Sequence, residues 1–223
     1  MMSEHQRRPS SATTSMMRCE ALVLGIGNVL WADEGFGVRS VEALHTAYAF
    51  PETVALVDGG TQGLYLYPFV ASARRVLVFD AIDFRLPAGT IKVLRDGEVP
   101  SWSATRMSPH QNGFNDVLAL AQLRGEAPEH VTLIGVQPEE LEDLGGSMRA
   151  SVKARIPTAV DIGARELADW GLPGRRRAGD ETCPPLNAPT LALGAYERGR
   201  PDEASACRIG DPRVLARSRI ALD

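Results

Sequence analysis

Short apolar runs of strand length alternate along the chain with stretches whose apolar residues repeat at helical spacing. The strand-like runs are found at 21–25, 53–57, 75–79 and 131–136. A fifth run, at 90–94, alternates polar with apolar positions, which is typical of an edge strand. Helical spacing is found over 36–48, 64–70, 114–121 and 147–170, where Pro157 is predicted to kink or restart the helix. The alternation predicts an α/β fold with three layers: a twisted, mostly parallel sheet with helices on both faces.

The periodic pattern is confined to residues 18–170, which we predict to form one domain. Residues 1–17 are polar, and the pair Arg7-Arg8 is not followed by an apolar segment, so we predict a flexible extension and not an export signal. After Gly171 the sequence becomes a mixture of Arg, Gly and Pro without any period. We therefore predict that residues 171–223 form a disordered tail.

Charge and cysteine content restrict the environment and the partners. The net charge of −4 disfavours electrostatic binding to nucleic acid or to an anionic membrane. The cysteines, Cys19, Cys183 and Cys207, are scattered and lack C-x-x-C spacing, which favours a reducing compartment and no thiolate metal site. No stretch approaches the roughly 20 apolar residues that span a bilayer. These features predict a cytoplasmic protein with neither a membrane nor a nucleic-acid partner.

Acidic residues occur where three predicted strands end. Asp33 and Glu34 follow the first strand and its Gly-x-Gly turn, and Asp58 and Asp80 end the next two strands. Because the carboxyl ends of parallel strands meet at one edge of the sheet, we expect these carboxylates to surround one crevice. A structural interpretation remains open for each. The acidic pair could stabilise the start of the following helix, and the two later aspartates could cap turns.

A histidine close to a helix adds a nitrogen to these oxygens. His110 lies in the sequence Ser-Pro-His-Gln just before the helical pattern at 114–121. The helix dipole disfavours the imidazolium there, and the neutral imidazole is the form that binds metals. Glu34, Asp80 and His110 would offer two oxygens and one nitrogen, a set suited to a borderline divalent metal such as nickel or zinc. Spacing alone does not link the three residues.

The Gly-x-Gly turn also leaves a dinucleotide-binding enzyme open as an alternative. Leu30 stands where the fingerprint has its third glycine, and Asp58 lies farther along than the usual ribose-binding acid, so this alternative is disfavoured. The sequence contains no G-x-S-x-G elbow, H-E-x-x-H motif or Walker A loop. Serine hydrolases of that type, zincins and P-loop enzymes are therefore disfavoured as well.

Five segments, taken in order, resemble the hydrogenase maturation proteases, which finish the large subunit of nickel–iron hydrogenases. The segments are G-I-G-N at 25–28 with its acidic pair and G-V-R at 37–39, D-G-G-T at 58–61, D-A at 80–81, S-P-H-Q at 108–111 and G-V-Q-P-E at 135–139. Each motif is common by itself, but five in this order are specific. The resemblance extends from about Leu22 to Trp170.

The resemblance implies an endopeptidase that removes a short C-terminal peptide from the nickel-loaded precursor of a hydrogenase large subunit. It implies that Glu34, Asp80 and His110 contact the metal, and that the precursor supplies the nickel. Asp58 matches a further acidic position of the family, and we predict Asp58 and Asp80 as the catalytic residues.

Two chemical routes stay open for such a peptidase. The family is usually classed as aspartic-type, and paired aspartates that share a proton need carboxyls in contact. The other route uses a water polarised by the metal and deprotonated by a carboxylate. A non-catalytic chaperone that senses nickel with the same three ligands is the alternative outside the enzymes.

Overall fold

The computed structural model describes residues 19–99 and 109–200, without the side chains of 109–112. The strands are β1 Ala21–Ile26, β2 Tyr48–Ala49, β3 Val54–Gly60, β4 Arg75–Ala81, β5 Ile91–Arg95, β6 His130–Val136 and β7 Arg175–Arg176. The α-helices are α1 Phe36–Ala47, α2 Tyr67–Ala71, α3 Pro109–Leu123, α4 Ala150–Lys153, α5 Ile156–Asp169 and α6 Leu193–Gly199. Three 3-10 turns are found at Ala32–Gly35, Gly63–Leu66 and Pro189–Leu191.

Five strands form the central sheet in the order β3-β1-β4-β6-β5. The first four run parallel, and β5 pairs antiparallel with β6 at the edge of the sheet. The strand β5 lies at the edge of the sheet, as its alternation of polar and apolar residues predicted, although Ile91 and Val93 pack against apolar residues on one face and Leu94 on the other. The prediction of a mostly parallel sheet is confirmed.

Apolar side chains pack on both faces of this sheet. One cluster lies between the sheet and helices α1 and α5 and includes Phe79, Val41 and Leu167. The other lies on the opposite face, where α2 and α3 cover the strands. Successive residues of β1 alternate between the clusters, as the two-residue period of a strand requires. The three-layer architecture is therefore also confirmed. Among the residues that the structure describes, no helix is a candidate membrane span.

Two strands extend further than their apolar runs predicted. Both β3 and β4 continue past the apolar residues and include Asp58 and Asp80. Asp80 is kept in the sheet because β6 continues beside it, with Asp80 aligned to Gly135 and Ala81 to Val136. The two acids are thus fixed by strand pairing instead of lying in loops.

The segment after Trp170 differs from the prediction of a disordered tail. Within residues 171–200, β7 pairs with β2, and Leu172 and Leu186 pack against the core. Individual polar contacts, described below, hold the rest of this segment. Such contacts need no periodic pattern and therefore could not be predicted from one. The remaining predicted extensions, 1–17 and 201–223, lie outside the described residues.

A buried carboxylate on α5 makes stability depend on pH. Glu166 is only 7% exposed and accepts hydrogen bonds from Arg95 Nη2 (2.7 Å) and Thr132 Oγ1 (2.8 Å). Burial would raise its pKa, but the hydrogen bonds from Arg95 and Thr132 outweigh this and lower the pKa below the ordinary 4.5. The unfolded chain then binds this proton more readily than the folded chain does. Ionised Glu166 therefore stabilises the fold above pH 4.5, and this contribution is lost as the pH falls below it.

We expect Glu166→Gln to lower the free energy of unfolding by about 2 kcal/mol at pH 7, the value of hydrogen bonds to a charged group. The difference from the parent protein should shrink as the pH falls below 4.5. Urea unfolding at a series of pH values measures it, with the exposed Glu52→Gln as the control. A difference that does not change with pH would contradict the expectation.

Candidate active site

The loop between β1 and α1 folds back over the carboxyl edge of the sheet. Gly27 has a φ of +129°, and a Cβ atom there would lie 1.8 Å from the carbonyl oxygen of Glu34. At Gly37, a Cβ atom would lie 2.2 Å from the carbonyl oxygens of both Ile26 and Phe79. Only glycine permits these approaches, which seat the 3-10 turn Ala32–Gly35 on the strand ends. The space beside these glycines is therefore occupied by the chain's own backbone, so the Gly-x-Gly turn no longer supports a dinucleotide site.

This packing brings Glu34 and Asp80 to the same edge. Asp80, near the end of β4, is 5% exposed, and its Oδ1 accepts a hydrogen bond from the backbone N–H of Ala81 (2.8 Å). Glu34 is half-buried in the 3-10 turn, which packs against β4. Two of the three predicted metal-contacting residues thus lie at the edge where ligands bind in open α/β sheets.

The third predicted residue, His110, lies in the first turn of α3. Its side chain is outside the described part of the structure. The backbone places the start of α3 against the turn Gly63–Leu66, since a Cβ atom on Gly113 would lie 2.9 Å from Gly63 Cα. That turn follows the carboxyl end of β3, so α3 begins at the same edge. Among the side chains that are described, no three of the types His, Cys, Asp and Glu are placed to hold a metal ion. The three-residue ligand set stays a prediction.

Asp58 makes its described hydrogen bonds with Gly60 and Asn187. Its Oδ1 accepts a hydrogen bond from Gly60 N–H (2.8 Å) and its Oδ2 accepts one from Asn187 Nδ2 (2.6 Å). Burial raises the pKa of Asp58, and the hydrogen bonds from Asn187 and Gly60 offset part of that rise. The charges that act on it are those of Glu42 and Arg39, both on α1.

Strand order separates the two aspartates that were predicted to be catalytic. Asp58 and Phe79 are both aligned with Gly25 of β1, so Asp80 lies one residue further along. Because side chains alternate along strands, Asp58 faces α1 whereas Asp80 faces α2 and α3. Strand β1 lies between them, which separates their backbones by about 10 Å. The structure does not bring the two carboxyls together, and a pair that shares one proton is incompatible with this arrangement.

Asp33 has a role that the sequence did not reveal. It is fully buried, and its carboxylate accepts hydrogen bonds from the backbone N–H groups of Glu139 (2.8 Å), Glu140 (2.9 Å) and Arg149 (2.7 Å). These contacts hold the loop after β6 beside Glu34. Since the partners lie 106 to 116 residues away, no local motif could have indicated them.

Asn187 is a second residue that sequence reasoning missed. It donates hydrogen bonds to Asp58 Oδ2 and to Glu42 Oε1 (2.9 Å), and Arg39 Nη1 donates to the carbonyl of Leu191 (2.5 Å). Residues 187–191 therefore cover Asp58 and tie the C-terminal segment to α1. A lone asparagine in an aperiodic stretch carries no signal of such a contact.

Comparison with known proteins identifies the family. The chain matches the family model for hydrogenase maturation proteases over residues 38–166. It belongs to the hydrogenase maturation protease family. This maturation protease is 54% identical to the hydrogenase expression/formation protein HupD of Thiocapsa roseopersicina, over 88% of this chain and 90% of that protein. It is 53% identical to HoxM of Cupriavidus necator, over 87% of this chain and 97% of that protein.

Solved structures agree with this assignment. The hydrogenase maturating endopeptidase HybD of Escherichia coli superposes with a TM-score of 0.68 at 40% identity, covering 71% of this chain and 98% of that one. The maturation protease described here is therefore a peptidase. It also has residues for which the E. coli fold has no counterpart. The alignment with HupD covers 88% of this chain, which is more than residues 1–170 make up. It therefore extends into the C-terminal segment that contains Asn187.

Proposed function

We propose that this maturation protease removes a short C-terminal peptide from the nickel-loaded precursor of a nickel–iron hydrogenase large subunit. The observation that carries the proposal is that Glu34 and Asp80 lie at the same carboxyl edge, beside the helix whose first turn contains His110, in a chain of this family. The nickel is part of the substrate in this proposal. The protease contacts this nickel to recognise the precursor and does not bind a nickel ion permanently.

The side chains of Glu34, Asp80 and His110 are suited to recognising a metal ion that another protein already binds. Two carboxylates and one imidazole fill only part of the coordination sphere of nickel, and the other positions stay with the precursor's own ligands. Cleavage would then follow nickel insertion because a precursor without nickel lacks the contact that positions its scissile bond.

For the chemical step we propose attack by water on the scissile carbonyl carbon. A carboxylate at the edge, Glu34 or Asp80, takes a proton from the water as the new C–O bond forms. The C–N bond then breaks, and the proton passes to the leaving amine. The strand that separates Asp58 from Asp80 supports this route over an aspartate pair in contact.

The decisive experiment adds the purified protease to the large-subunit precursor of its organism, prepared with and without nickel. Intact mass should show loss of one discrete C-terminal peptide from the nickel-loaded precursor only, with the nickel-free precursor at least about 100-fold slower. Equal cleavage of both forms would remove nickel recognition from the proposal. A stable complex without any change in mass would favour the chaperone alternative.

A further inference from the structure

Exposed apolar side chains are concentrated at the candidate active edge. Eight large hydrophobic residues are exposed in the described part of the chain. Five of them lie on the connections that leave the carboxyl ends of β1, β3, β4 and β6. We call these five the apolar rim: Leu30, Leu64, Tyr65, Leu86 and Leu144. Exposed apolar side chains collected in one region mark an interaction surface, whereas scattered ones do not.

The β3 side of the rim is held on a rigid support. Leu64 and Tyr65 are 56% and 82% exposed, whereas Leu66 in the same 3-10 turn is 2% exposed and packs in the core. The turn begins at Gly63, whose φ is +53° and whose Cα lies against Gly113 of α3. Docking on a fixed pair of side chains costs less conformational entropy than docking on a mobile loop.

The β1 side of the rim is tied to the loop that carries Glu34. Gly145 N–H donates a hydrogen bond to the carbonyl of Leu30 (2.6 Å), and Trp31 forms an antiparallel bridge with Leu144. Both leucines are thus anchored next to Asp33, which holds the same two loops together. The rim therefore borders the edge at which Glu34 and Asp80 lie.

We propose that the folded body of the hydrogenase large-subunit precursor docks on the apolar rim. This docking selects the precursor before its C-terminal segment is cut. This inference rests on the proposed function. A substrate that reaches Glu34 and Asp80 has to lie against the rim, because the loops that bear it surround that edge.

Charge favours such a partner over a second copy of this chain. The connections that carry the rim also carry the exposed carboxylates Asp83, Glu139 and Glu142, which outnumber the exposed Arg85. Two copies placed rim to rim would bring like charges together, which is unfavourable at an interface. The complementary partner has an apolar surface bordered by basic residues.

The test compares Leu64→Ser/Tyr65→Ser with Leu123→Ser in cleavage of the nickel-loaded precursor. Leu123 is 85% exposed at the end of α3, toward the amino edge of the sheet, so it is a matched control. We expect the double variant to raise KM about 10- to 100-fold with kcat within about twofold, as for central residues of an interface. Leu123→Ser should leave both constants unchanged. Melting temperatures close to that of the parent would show that all variants fold.

Each of the other possible results of this test has one interpretation. If the parent cleaves the precursor and the double variant has the same KM, the docking inference is overturned while the proposed function stands. If the parent does not cleave, the proposed function fails, and the inference that rests on it fails too. Sedimentation of the protease alone tests whether a second copy of this chain occupies the apolar rim instead. A dimer that is lost in the double variant would assign the rim to self-association and overturn the proposal.

Discussion

Asp80→Asn and Glu34→Gln are each expected to slow removal of the C-terminal peptide by at least about 1,000-fold. Asparagine can still accept the hydrogen bond from Ala81 N–H, so the first variant removes charge and basicity while keeping the shape of the buried side chain. Glutamine likewise keeps the length of the Glu34 side chain. A loss of this size therefore reports chemistry or metal contact. His110→Ala should give the same loss if its imidazole is the third metal-contacting group.

The measurement is the single-turnover rate by intact mass, with nickel-loaded precursor and excess protease. Glu52→Gln and Asp161→Asn serve as matched controls, because both carboxylates are exposed and lie away from the carboxyl edge. Asp58→Asn discriminates between the two routes. Since Asp58 faces α1 and Asn187, we expect a loss of less than about tenfold. If Asp58→Asn and Asp80→Asn abolish cleavage equally in folded proteins, an aspartate pair acts after all and the strand argument is wrong.

The sequence predicted the layers of this fold because each element carries its own periodic signal. Apolar runs marked the parallel strands, and the alternation at 90–94 marked β5, which does lie at the sheet edge. Pro157 was predicted to restart a helix, and it occupies the first turn of α5. The carboxyl edge followed from the same pattern, since parallel strands end together.

Strand order was not available from that pattern. Apolar runs do not reveal which strands are neighbours, so the separation of Asp58 from Asp80 by β1 required coordinates. The same limit applies to contacts between distant residues, such as those of Asp33 and Asn187. The Gly-x-Gly turn left a dinucleotide site open, but the group that approaches Gly27 is the carbonyl of Glu34. A glycine motif indicates where the backbone must lack a side chain, but it does not identify the group that packs against that backbone.

The buried carboxylate of Asp33 gives the largest expected effect on stability. Asp33→Ala should lower the free energy of unfolding by about 3–5 kcal/mol, because three backbone N–H groups lose a charged acceptor at once. Asp33→Asn keeps one acceptor oxygen but turns an amide toward other N–H groups, so we expect an intermediate loss of about 1–3 kcal/mol. Urea unfolding measures both values, with the exposed Asp161→Ala as the control.

Hydrogen exchange locates this loss within the structure. If Asp33 holds the loop after β6, the amides of Glu139, Glu140 and Arg149 should exchange faster in Asp33→Ala, while amides in the centre of β1 change only with global stability. The loop also carries Leu144 of the apolar rim, so loosening it should weaken precursor cleavage even under conditions where the variant is fully folded. An Asp33→Ala protein within about 1 kcal/mol of the parent, with those three amides still protected, would show that the loop is held by other contacts.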